Sequence, residues 1–168
     1  MSLGTKTRSN NILVTGEFLT RLTIQAAMCA WTLGIVSKGR VSKWAWSTAI
    51  VIYLVHIFFA FEVHYGWSQK VALEETARQT YQLTGWNNGI GLWVNYAFTA
   101  FLACDLWNQW SGHPERLRNT RNGIVLFMIL NGAVIFGTGL SRQLGIVLLG
   151  VVTLVWLRRT KSKIRNKK

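Results

Sequence analysis

Apolar stretches of near-membrane length, separated by short polar gaps, occupy most of this chain of 168 residues. That pattern excludes most soluble folds, because a segment that stays apolar for about 20 residues has the length of one helical passage through hydrocarbon. The candidate spans are 12–36, 46–65, 89–110, 123–140 and 144–157. Without water in the bilayer core, each span must satisfy its own peptide groups, and these segments are too long and too weakly alternating for barrel strands. The expected fold is therefore all-α, a polytopic transmembrane helical bundle of four to five spans. Half of the residues are hydrophobic and only 15% are charged, which agrees with that class.

The count turns on the first segment, where Glu17, Arg21 and Gln25 interrupt the apolar run. It either crosses the membrane, giving five spans, or lies in the interface as an amphipathic helix, giving four. Crossing is the reading adopted. Glu17 and Arg21 stand four apart with the acid first, so pairing along one helix face would lower the cost of burying them. No small-x-small cleavage site follows Ala27, so the segment is not read as a signal peptide.

Basic residues collect in alternate gaps. Lys38, Arg40 and Lys43 follow the first span, Arg116, Arg118 and Arg121 follow the third, and a basic tail (residues 161–168) closes the chain. Cytoplasmic loops retain Lys and Arg, so these gaps are expected inside, with a cytoplasmic C-terminus in a bacterial inner membrane. The formal charge of +13 is then assigned to anionic lipid headgroups. Nucleic acid is not the expected partner, because the tail follows a hydrophobic span and lacks interleaved aromatics. The nine tryptophans mostly fall near span ends, and the sequence assigns all but Trp31 to interfacial anchoring.

Residues 68–84 read as a further helix, too polar to cross. Lys70, Glu74, Arg78 and Gln82 recur every four residues, with Glu74 placed to pair with Arg78, while Leu73, Ala77 and Tyr81 form a less polar face. An external amphipathic interfacial helix is expected there.

Candidate chemistry lies with ionisable and amide groups in the spans, because polar side chains at membrane depth are costly and tend to mark sites or structural hydrogen bonds. His56, Thr99 and Asn131 fall near one depth, with Gln25 a further member, and a small-ligand site drawing on His56, Asn95 and Asn131 is one expectation. Glu62, His64 and Glu74, with Glu75 beside them, form a second group near the outer face that would suit a divalent metal. Glu62 and His64 point apart on a regular helix, so one ion could join them only where the helix ends or unwinds. Asp105 is expected to snorkel or to meet Arg116 or Arg118.

Several enzyme signatures fail on spacing. Glu74-Glu75 precedes Arg78 by one residue too few for the CAAX-type intramembrane protease motif. Ser141 follows glycines without the order of a nucleophile elbow, and Cys29 and Cys104, read as buried small hydrophobes, form no CxxC pair. No Walker, Rossmann or zinc-finger spacing occurs. The expectation is a non-enzymatic accessory or assembly subunit, associating with a membrane-protein partner or with itself. The alternative is a small transporter or proton-coupled channel using Glu62, His56 and Asp105. Glycines 123, 132, 137, 139, 145 and 150 are read as close-packing positions, with a tight turn at Ser141 to Gln143.

Overall fold

A computed structural model describes the backbone of residues 3–111 and 118–165, and the side chains of residues 14–111, 119–159 and 161. Arg116, the Arg118 side chain and the tail side chains beyond Lys161 lie outside the described residues. Every regular element is helical: α1 (Leu3–Val36), α2 (Gly39–Ala60), a π turn (Phe61–Tyr65), α3 (Gln69–Thr84), α4 (Ile90–Trp110), α5 (Arg118–Ile129), a second π turn (Leu130–Ile135) and α6 (Gly139–Arg165).

Four of these helical segments are long and apolar enough to cross a membrane: Val14–Val36, Gly39–Tyr65, Ile90–Trp110 and Gly139–Arg159. The first segment is among them. The stretch expected as span 123–140 is not one of them among the described residues, since α5 begins with polar residues and its helix ends at Ile135. The turn into α6 falls at residues 136–138, not at Ser141 to Gln143. Gly139, at φ +55°, supplies the left-handed conformation that such a turn needs, and Gly137 allows the close approach to the Ala133 backbone.

The chain divides into two compact units, one of residues up to Ile24 with Ile50–Trp107, the other of Gln25–Ala49 with the chain from Asn108. In the first unit α1 packs on α2 through small groups. A Cβ at Gly16 would lie 2.6 Å from a methyl of Val63 in the π turn that follows α2, so any larger residue there forces a shift. Farther along, the Thr20 carbonyl meets the His56 ring. Gly89 and Gly91 admit Leu73 and a Thr76 methyl in the same way, seating α3 against the start of α4.

In the second unit Trp46 is fully buried, and a Cβ at Gly34 would stand 3.4 Å from its ring. Ser42 donates to the Gly34 carbonyl at 2.5 Å. The Arg121 guanidinium, 3% exposed, lies 4.5 Å from the Trp46 ring centre. This is a cation held on an aromatic face away from solvent, where such contacts are strongest. Lys43 sits over Trp110 at 4.0 Å, and the Trp110 indole donates to Ser47 at 3.1 Å. Arg159 reaches the Ile35 and Val36 carbonyls, two of the acceptors that a helix C-terminus leaves unmet.

These contacts revise several expectations. Trp46 is core, not an interfacial anchor, and part of the basic charge is held on rings and helix ends. Of the glycines named as packing positions, Gly145 abuts Ala133, whereas Gly123, Gly132 and Gly150 face open space. Cys29 and Cys104 are free thiols on the exterior. Asp105 is 6% exposed and therefore does not snorkel.

Candidate functional site

The last turns of α2 widen from α-helix into the π turn Phe61–Tyr65, which carries Glu62 and His64. Such turns insert one residue per turn and occur often at functional positions. Gly66 closes it in the left-handed region at φ 51°, and Trp67 follows at φ 58°. A bulky residue there is strained. The strain brings the Trp67 side chain back over the turn, where its indole N–H donates to Glu62 Oε2 at 2.5 Å. Its ring meets Phe58 at 5.2 Å and Phe61 at 5.9 Å between centres.

Ser68 then caps α3, its hydroxyl accepting from the Val71 N–H at 3.3 Å, and Gly85 ends the helix at φ 76°. Lys70, Glu74, Arg78 and Gln82 are solvent-facing, as the periodicity requires. The packed face centres on buried Ala72 with Leu73 and Thr76, while Tyr81 remains exposed. Ion pairing also differs by one residue from expectation. Arg78 grips Glu75 through two hydrogen bonds of 2.8 and 2.6 Å, and Glu74 meets Lys70 at 3.9 Å. Hydrogen bonds from Arg78 and then Gln79, aided by the charge of His64, hold the Glu75 carboxyl down to about 2.

From α4, the Tyr96 hydroxyl donates to Gln69 Oε1 at 2.6 Å, tying α4 to the first turn of α3. The Tyr96 ring stacks on Phe61 at 6.5 Å, Phe61 meets Tyr65 edge-on at 5.3 Å, and Trp93 meets Tyr96 at 5.8 Å. The result is an aromatic cluster beside the Glu62 and Glu75 carboxylates.

The sequence candidates fall unevenly about this cluster. Glu62 belongs to it. His64 is exposed next to Tyr65, Glu74 points along the outer stripe of α3, and Asn95 is exposed beside Tyr96. Among the described residues no three His, Cys, Asp or Glu side chains converge as metal ligands. His56 is part of a separate chain: its Nδ1–H donates to the Thr20 carbonyl at 2.9 Å, and its ring lies 6.2 Å from Tyr53. Tyr53 hydrogen-bonds Thr99, whose own proton goes to the Asn95 carbonyl at 2.8 Å, so Tyr53 is the donor. Gln25 and Asn131 belong to the other unit, where Gln25 donates to Ser141 at 3.1 Å and the Asn131 carbonyl accepts from the Phe136 N–H.

Sequence reasoning missed Trp67 and Tyr96 as site residues. Trp67 could not be anticipated, since its contact with Glu62 depends on the π turn. Tyr96 carried a weak signal, three residues after Trp93 and hence on the same side of α4.

Together the fold and the site define a multi-pass helical membrane protein with an aromatic and acidic cluster at one end of its first unit. Comparison with protein families, curated proteins and solved structures finds no match to this chain.

Proposed function

We propose that this chain is a non-enzymatic component of a bacterial inner membrane that binds a small organic cation, such as a quaternary ammonium group, at its outer face. One observation carries the reading. Of the three acids near the cluster, Glu74 and Glu75 are matched by Lys70 and Arg78, whereas the Glu62 carboxylate receives a neutral indole N–H. Its negative charge is left without a cationic partner among the described residues, beside the faces of Phe61 and Trp67. Aromatic faces with a nearby carboxylate suit an ammonium ion.

Contacts within the second unit support five crossings with an internal C-terminus. Gln25 meets Ser141 and Val36 meets Arg159, so α1 and α6 run in one direction. Trp110, at the end of α4, lies against Trp44 at the start of α2. For α6 to begin far from that end, α5 and its π turn must carry the chain back, and their combined length of about 27 Å is close to the hydrocarbon thickness of about 30 Å. Lys38, Arg40, Lys43, Arg121 and Arg159 then share the cytoplasmic side. In this topology α3 lies on the outer membrane surface, with its stripe of Lys70, Glu74, Arg78 and Gln82 in water.

Titration of purified protein with choline, followed by tryptophan fluorescence, tests the site. Saturable binding is expected, weakened about tenfold or more in Glu62→Gln, with Glu74→Gln close to wild type. Equal affinity in wild type and Glu62→Gln, or no saturable change at all, contradicts the proposal.

A further inference from the structure

Five positions along one helical face of α1, Val14, Glu17, Phe18, Arg21 and Leu22, are exposed, and they follow the i, i+3, i+4, i+7, i+8 pattern of a single stripe. The opposite face is already used, since Gly16 packs against the π turn and Thr20 against α2. The exposed stripe is apolar apart from one acid and one base. Val14 is 68% and Phe18 62% exposed.

Glu17 and Arg21 do not satisfy one another. The ion pairs among the described residues are Lys70–Glu74 and Glu75–Arg78, so the expected pairing along α1 is not formed. With Val36 at the inner boundary, Arg21 stands about 22 Å up a hydrocarbon core of about 30 Å, and Glu17 stands near its outer rim. Arg21 then faces lipid within the core and Glu17 faces it at the rim, both from the exterior of the first unit, and an unpaired charge at such depth is unfavourable.

We propose that this face is covered by a second copy of the chain. A two-fold axis along the membrane normal places identical depths side by side, and an isologous contact pairs each residue with its counterpart's neighbour. Glu17 of either copy then reaches Arg21 of the other, making two reciprocal ion pairs around a centre of Val14, Phe18 and Leu22. One acid and one base four residues apart make the stripe complementary to itself. The inference uses the crossing by α1 and does not involve Glu62 or the cation site.

The test is disulfide trapping in native membranes, with Phe18→Cys introduced beside Cys29→Ser and Cys104→Ser. Efficient cross-linking to a dimer is expected. Adding either Glu17→Arg or Arg21→Glu should lower dimer formation at least about tenfold, because each replaces two attractions with two repulsions. Combining both reversals on one chain should restore it. Co-expression of the Glu17→Arg chain with the Arg21→Glu chain should restore it too, since a stripe with two bases then meets a stripe with two acids. Each variant must retain wild-type helicity by circular dichroism. Absence of cross-linking in the unreversed chain overturns the proposal, as does failure of the double reversal to restore it. A different protein or lipid covering this face would give one of these two results.

Discussion

Replacing Trp46 with alanine is expected to destabilise the protein by about 3–5 kcal/mol, the range for deleting a large buried aromatic side chain. The indole is fully buried, backs directly onto Gly34 and carries the Arg121 guanidinium on its face. Alanine leaves a cavity and also removes the aromatic face from a cation that is 3% exposed. Trp46→Phe should recover part of the loss, because a phenyl ring keeps an aromatic face while leaving some of the volume empty. Reversible unfolding in a detergent mixture, followed by circular dichroism, measures both. Trp107→Ala is the control, since that ring is 74% exposed, and it should shift stability by less than about 1 kcal/mol. Similar small effects at both positions would return Trp46 to the role of interfacial anchor.

Gly137→Ala is expected to be the most damaging glycine substitution in the hairpin of α5 and α6. An added methyl would lie inside contact distance of the Ala133 carbonyl oxygen and 2.7 Å from its carbon. Those atoms are backbone, so a side-chain rotation cannot relieve the overlap and the turn itself must open. Overpacking of this kind costs about 1–3 kcal/mol, and the upper end applies where nothing flexible can yield. Gly150→Ala should behave oppositely. Its Cβ would meet nothing within 4 Å, and within α6 the exchange removes a flexible residue, so it should be neutral or stabilising by up to about 1 kcal/mol. The same unfolding assay compares the two, and equal effects would contradict the placement of the turn.

Four of the expected apolar segments, and the helical character of α3, were legible in the sequence because each carries a local signal. Apolar length marks the crossings, and Ser68 and Gly85 carry the cap chemistry that bounds α3 within one residue of expectation. What stayed hidden depends on partners distant in the chain. Nothing around Trp46 distinguishes a buried ring from an anchoring one until Gly34 and Arg121 are placed. Period-four reasoning paired Glu74 with Arg78, yet Arg78 chose Glu75 at three residues, since both spacings lie on one helix face. Glu62 was named from its cost at membrane depth, whereas Trp67 entered the site only through a π turn and a left-handed residue that no periodicity encodes. The glycine reading failed for a related reason: composition shows where helices can approach, and only the fold shows that Gly16 and Gly34 are where they do.

Central to all of this is lipid as the solvent of the bundle's exterior. In the apolar stretch Gly139–Arg159, only 11% is buried within the protein, so most of that surface must meet hydrocarbon. Washing membranes with alkaline carbonate and then adding detergent tests it directly. The chain should remain in the pellet through the wash and enter solution only with detergent; release into the carbonate supernatant as a monodisperse, detergent-free protein would contradict the account.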